Sequence, residues 1–146
     1  VDPVNEVLQR SSDAAWAEAV RVLLVEDDED SAESTRRLLV RYGARVDVAS
    51  SAADAMERVA GVRPELVITD LRLPDLDGFC LIAQLRAPMA EALPMFVVLS
   101  GSARPASDAE SEAARIDQYF RKPIEPTTLR DLVAATRHRR TPERRV

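Results

Sequence analysis

The sequence predicts an α/β domain, a doubly wound parallel sheet of five strands with helices on both faces. Three observations predict it. Five short apolar runs recur at similar intervals, segments of helical character lie between them, and the runs at 22–25, 66–68 and 95–99 are almost unbroken. Repeated strand–helix alternation argues for a parallel sheet, and unbroken apolar strands suit its centre, where both sides are buried.

Each element has its own justification. Residues 1–20 precede the pattern and read as an N-terminal extension, in which Ser12-Asp13 and the Ala-rich run through Trp16 suit one short helix. After the first strand, the helix at 30–42 sets Leu38, Leu39 and Tyr42 on one face, with Gly43 as its C-terminal cap. The strand at 44–49 alternates apolar and charged residues, as an edge strand does. A helix at 51–60 opens on Ser50-Ser51, a good N-cap, and stops at Gly61. The helix at 78–87 carries Phe79, Ile82, Ala83 and Leu85 and ends before Pro88. A weaker Ala-rich helix occupies 106–114, and the fifth strand is 118–120. The last helix, 126–138, has Pro126 in its first turn and buries Leu129, Leu132 and Val133. The domain is therefore placed at 21–136, and the Arg-rich stretch 137–146 reads as a frayed basic tail.

Composition narrows the function classes. With 46% hydrophobic and 31% charged residues, the 146-residue chain has the balance of a globular domain, not of a disordered one. Its longest apolar run, 95–99, is far short of the ~20 residues of a membrane span. No basic start followed by an apolar stretch suggests a signal peptide. A single cysteine, Cys80, excludes an internal disulfide and a Cys-based zinc site and suits a reducing cytosol, so a cytoplasmic location is expected. A single histidine, His138, argues against a Ser-His-Asp triad.

Charge is unevenly placed. The net charge is −5, yet the last ten residues carry five Arg and one Glu, which leaves an acidic body unlike a nucleic-acid-binding surface. Nineteen of the twenty bases are arginine, and Lys122 is the only lysine. A chain that otherwise uses arginine keeps a lysine where a compact point charge is wanted.

Ligands of an open parallel sheet bind beyond the carboxyl ends of its strands. The first strand runs into Glu26-Asp27-Asp28, the third into Thr69-Asp70, the fourth into Ser100-Gly101 and the fifth into Arg121-Lys122-Pro123. Each is ordinary alone: an acidic run is a common helix start, and Asp70 could be a cap. Placed together at four strand ends, they make one edge that carries carboxylates, a hydroxyl and a lone ammonium. Crowded carboxylates repel one another, and Mg²⁺ held by one or two of them, with waters and a phosphate, suits that inventory.

These motifs carry a resemblance. The stretches Val22-Leu-Leu-Val-Glu-Asp-Asp28, Leu66-Val-Ile-Thr-Asp70 through Gly78, Val97-Val-Leu-Ser-Gly101 and Tyr119-Phe-Arg-Lys-Pro123 resemble the receiver domain of bacterial two-component response regulators. The match runs from about Arg21 to Ala135, and its most specific part is the spacing of Asp70, Pro74 and Gly78. The resemblance implies a flavodoxin-like sheet of order 2-1-3-4-5. It also implies that Asp70 accepts a phosphoryl group from a histidine kinase or histidine phosphotransfer protein, with slow self-dephosphorylation. Mg²⁺ would be held by Asp70, by Asp27 directly, by Glu26 through water and by the backbone carbonyl of Arg72. A register one residue later makes the acidic pair Asp27 and Asp28. Ser100 would bond a phosphoryl oxygen, Lys122 would pair with Asp70 and then with the phosphoryl group, and the Lys122–Pro123 bond would be cis. Ser100 and Tyr119 would be the switch residues. Output would pass through protein contacts, with no direct contact to nucleic acid or membrane. Oligomerisation would use the face of the fourth predicted helix, fifth strand and fifth helix.

Two rival functions are weighed against this. A phosphatase of the haloacid-dehalogenase type wants a second Asp two residues after the first, and that place holds Arg72. A receiver used only for docking has no need of the full set of catalytic residues.

Overall fold

A computed structural model describes residues 18–101 and 114–140 of the chain. Within them the elements are β1 (Val20–Val25), α1 (Glu29–Arg41), β2 (Ala44–Ala49), α2 (Ala52–Val62), β3 (Leu66–Asp70), α3 (Gly78–Leu85), β4 (Met95–Ser100), β5 (Gln118–Arg121) and α4 (Pro126–Arg139). The expected helix at 106–114 lies outside the described residues apart from Ala114. So does the one expected around Trp16 apart from its last residues, 18–20, of which Val20 opens β1 and so belongs to the sheet rather than to the N-terminal extension.

All strand pairs are parallel, and the sheet order is β2-β1-β3-β4-β5. Strand residues alternate between two apolar layers, because successive side chains point to opposite faces. Leu23, Val25, Val67, Phe96 and Val98 pack with Ala55 and Val59 of α2 and with Leu81, Ile82 and Leu85 of α3. Val22, Leu24, Leu66, Ile68, Val97 and Leu99 pack with Leu39 of α1 and with Leu129, Leu132 and Val133 of α4. Both faces of the central strands are covered, which is why their sequences hold no polar alternation.

Several boundaries differ from the sequence reading. Gly61 does not end α2, which continues to Val62; Arg63 takes the left-handed conformation (φ 49°) and its amide closes on the Val59 carbonyl. Arg63 holds that shape with help from Arg21, whose Nε donates to the Arg63 carbonyl. α3 ends at Leu85, where Arg86 turns its guanidinium to the Ala114 carbonyl and over the Phe96 ring. α4 runs past Thr136 to Arg139, so the start of the expected tail is helical. Arg137 donates to the Gly43 carbonyl, and Arg140 donates to Glu65 and to the carbonyls of Glu18 and Ala19.

Candidate functional site: the carboxyl edge of the sheet

Strand register alone brings the candidate residues together. Val25 is paired with Thr69, so Glu26 is level with Asp70; Asp70 is paired with Leu99, and Ser100 with Arg121, next to Lys122. The Lys122 amide donates to the Ser100 carbonyl at 2.7 Å, and the Leu71 amide to the Leu99 carbonyl at 2.7 Å. The Lys122–Pro123 bond is cis.

Lys122 is the centre of the arrangement. Its Nζ donates to Glu26 Oε1 at 2.6 Å and stands 2.8 Å from Asp70 Oδ1. Glu26 keeps only 7% of its side-chain surface exposed, Asp70 12% and Lys122 30%, so the charges interact with little screening. Burial pushes the Glu26 carboxyl above its ordinary value, the Asp70 carboxyl pushes the same way, and Lys122 offsets only part of this. Burial works against the Lys122 charge, but its bonds to Asp70 and Glu26 prevail and hold the ammonium above its ordinary value.

The carboxylates outnumber their cation. Glu26, Asp27 and Asp70 each offer an oxygen, and those oxygens lie within 4.8 Å of one another. Glu26 Oε2 is buried and has no hydrogen-bond partner among the described residues. A buried carboxylate oxygen left unpaired is costly. An oxygen-only set of three acids around one such atom is what a hard divalent cation would satisfy, so the residues fit Mg²⁺. Asp28 is engaged elsewhere: it caps α1 by accepting from the Ser31 amide at 2.9 Å. The carboxylates that cluster are those of Glu26, Asp27 and Asp70.

The loop after Asp70 is tightly closed. Arg72 and Asp77 form an antiparallel bridge, the Gly78 amide donates to the Leu71 carbonyl at 2.7 Å, and Asp77 caps α3 through the Cys80 amide. Ser100, 3% exposed, ends β4 beside this loop. The Tyr119 ring stacks on Phe79 with centroids 6.4 Å apart, and its hydroxyl is buried with no hydrogen-bond partner among the described residues. A cleft of about 550 Å³ between α1 and α4 opens onto Glu26, Asp70 and Lys122.

Sequence reading did not single out Asp75. Its carboxylate accepts from the amides of Ala52 and Ala53 at the start of α2.

Comparison with known proteins agrees with this architecture. The family model of the response regulator receiver domain matches residues 22–134. Response regulator MprA of Mycolicibacterium vanbaalenii is 34% identical over 129 residues, covering 85% of this chain and 53% of that protein. An uncharacterized 14.6 kDa protein of Leptolyngbya boryana, from the sodA1 3′ region, is 34% identical over 77% of this chain and 86% of its own length. The chain therefore spans about half the length of the MprA relatives. A CheY-like receiver domain from Methylobacillus flagellatus superposes with a TM-score of 0.74 at 31% identity, over 81% of this chain and 98% of that one. With its receiver-type sheet order and a family model matched over residues 22–134, this chain belongs to the receiver-domain family of two-component response regulators. Among the described residues no helix is long and apolar enough to cross a membrane.

Proposed function

We propose that the chain accepts a phosphoryl group on Asp70 from a histidine kinase or histidine phosphotransfer protein and changes its protein contacts in response. One observation carries this reading. Lys122 bridges Asp70 and Glu26 at 2.8 and 2.6 Å while Glu26 Oε2, in a three-carboxylate cluster, has no partner among the described residues.

The residues divide the work. An oxygen of Asp70 attacks phosphorus as the phosphorus–nitrogen bond of a phosphohistidine breaks; an acyl phosphate forms and the imidazole leaves with the bonding electron pair. Lys122 orients Asp70 beforehand and then pairs with a phosphoryl oxygen, and the Ser100 hydroxyl bonds a second one. Glu26, Asp27, Asp70 and the Arg72 carbonyl would hold Mg²⁺, which when bound neutralises charge on the phosphoryl oxygens. Water later cleaves the acyl phosphate, so the signal decays slowly without a further protein. Movement of Ser100 toward the phosphoryl group would shift the equilibrium of Tyr119 and of the β5 face beside it. Output passes through that face to a protein or to a second copy of the chain, without direct contact to nucleic acid or membrane, in the cytoplasm.

Incubation with acetyl phosphate and Mg²⁺ tests the reading. One phosphoryl group per chain should appear by intact mass spectrometry, and none in Asp70→Asn. Labelling of Asp70→Asn to the wild-type extent would overturn it.

A further inference from the structure

The N-terminus of α2 is closed by a residue from another part of the chain. The Asp54 amide is taken by Ser51 Oγ and the Ala55 amide by the Ser51 carbonyl. The two amides before them, Ala52 and Ala53, donate to Asp75 Oδ1 and Oδ2, each at 2.9 Å. Asp75 Oδ1 also accepts from its neighbour Leu76 at 3.1 Å. One carboxylate therefore spans two adjacent helix amides, where the helix dipole favours a negative charge.

Asp75 sits at the tip of the loop that leaves Asp70. The base of that loop is tied by the Arg72–Asp77 bridge and by the Gly78 amide on the Leu71 carbonyl. Its tip is tied to α2, whose first turn is a firm post because Ala52 and Ala55 are buried in the core. Arg72 belongs to the base attachment, three residues before the tip, so its backbone is held within a loop fixed at both points. A carbonyl ligand has no side chain with which to adapt, so its aim is that of its backbone, and Mg²⁺ tolerates little departure from octahedral geometry.

We propose that Asp75 is a positioning residue that clamps the loop carrying the Arg72 carbonyl to the N-terminus of α2 and thereby sets the affinity of the site for Mg²⁺. The proposal rests on the assignment of Glu26, Asp27, Asp70 and the Arg72 carbonyl as the metal-binding set. If Asp75 were a helix cap alone, its loss would lower stability and leave Mg²⁺ affinity untouched.

The test uses the full chain without any phosphodonor. Mg²⁺ is titrated into wild type, Asp75→Asn and Asp75→Ala, followed by the backbone amide resonances of Asp27 and Arg72; exchange of the Ala52 and Ala53 amides is measured in parallel. Asp75→Ala should expose both helix amides to exchange and weaken Mg²⁺ about tenfold, the lower end of what outer-shell partners cost a metal site. Asp75→Asn keeps one acceptor oxygen and should fall between. Wild-type affinity in Asp75→Ala with both amides deprotected would overturn the clamp. Should Asp75→Ala not fold, Asp75→Asn decides: wild-type affinity together with loss of protection at one of the two amides overturns it equally. Absence of Mg²⁺ binding to wild type would overturn the metal assignment, and the clamp with it.

Discussion

A β-carbon on Gly78 would stand 2.5 Å from the carbonyl oxygen of Asp70. The first turn of α3 lies on the backbone of the proposed phosphoacceptor, and only a residue without a side chain permits that approach. The nearest contact is with backbone, which has little room to yield, and Leu71 Cα and the buried side-chain Cγ2 of Thr69 are each 3.2 Å from the same point. Gly78→Ala should therefore cost about 1–3 kcal/mol of stability, as overpacking does, and slow phosphorylation by shifting Asp70. Denaturant unfolding and labelling kinetics check it; a variant unchanged in both would contradict the account.

Lys122 fills a slot between two carboxylate oxygens 2.6 and 2.8 Å away. A guanidinium has the charge but is wide and planar. Lys122→Arg should keep the fold and impair the response to phosphorylation. Phosphorylation-dependent partner binding or Tyr119 fluorescence measures this, and a fully responsive variant would show that charge alone suffices.

At the opposite end of the sheet Glu65 binds Arg140 and Arg21. Burial by itself would raise the Glu65 carboxyl, but the bonds from Arg140 and from the Arg21 amide hold it below its ordinary value. A depressed carboxylate contributes stability that is complete above its unfolded value of 4.5 and is lost as pH falls through the lower folded one. Arg140→Ala should cost about 1.5–3 kcal/mol at neutral pH and flatten the acid limb of the stability profile. Thermal melts across that range decide it; an acid limb as steep as that of wild type counts against the role of Arg140.

The central strands were legible because burial on both faces leaves unbroken apolar runs, and parallel register then carries Glu26, Asp70, Ser100 and Lys122 to one edge. What stayed illegible depends on partners distant in sequence. Five consecutive acids follow Val25, and it is the Ser31 amide that takes up Asp28. Gly61 reads as a helix stop, yet the helix passes through it to Val62 and is capped by Arg63, which Arg21 engages. Arg140 reads as tail because its partner Glu65 is 75 residues away. Nothing in the sequence marks out Asp75, because the amides of Ala52 and Ala53 that it accepts from belong to α2.

Mg²⁺ should stabilise the resting protein by relieving the repulsion among Glu26, Asp27 and Asp70. Linkage gives ~2.7 kcal/mol at a hundredfold excess over the dissociation constant. Asp27→Asn should reduce both this gain and the rate of phosphorylation. Melts with and without Mg²⁺ test it, and a wild type whose midpoint ignores Mg²⁺ would contradict the metal assignment.

The central claim is that Asp70 forms an acyl phosphate within this particular set of side chains. Borohydride reduction converts a phosphorylated aspartate to homoserine and so marks the residue that carried the group. After reaction with acetyl phosphate and Mg²⁺, peptide mapping should find homoserine at position 70 alone, and none when EDTA is in excess. Homoserine at another aspartate, or undiminished conversion with EDTA present, would contradict the account.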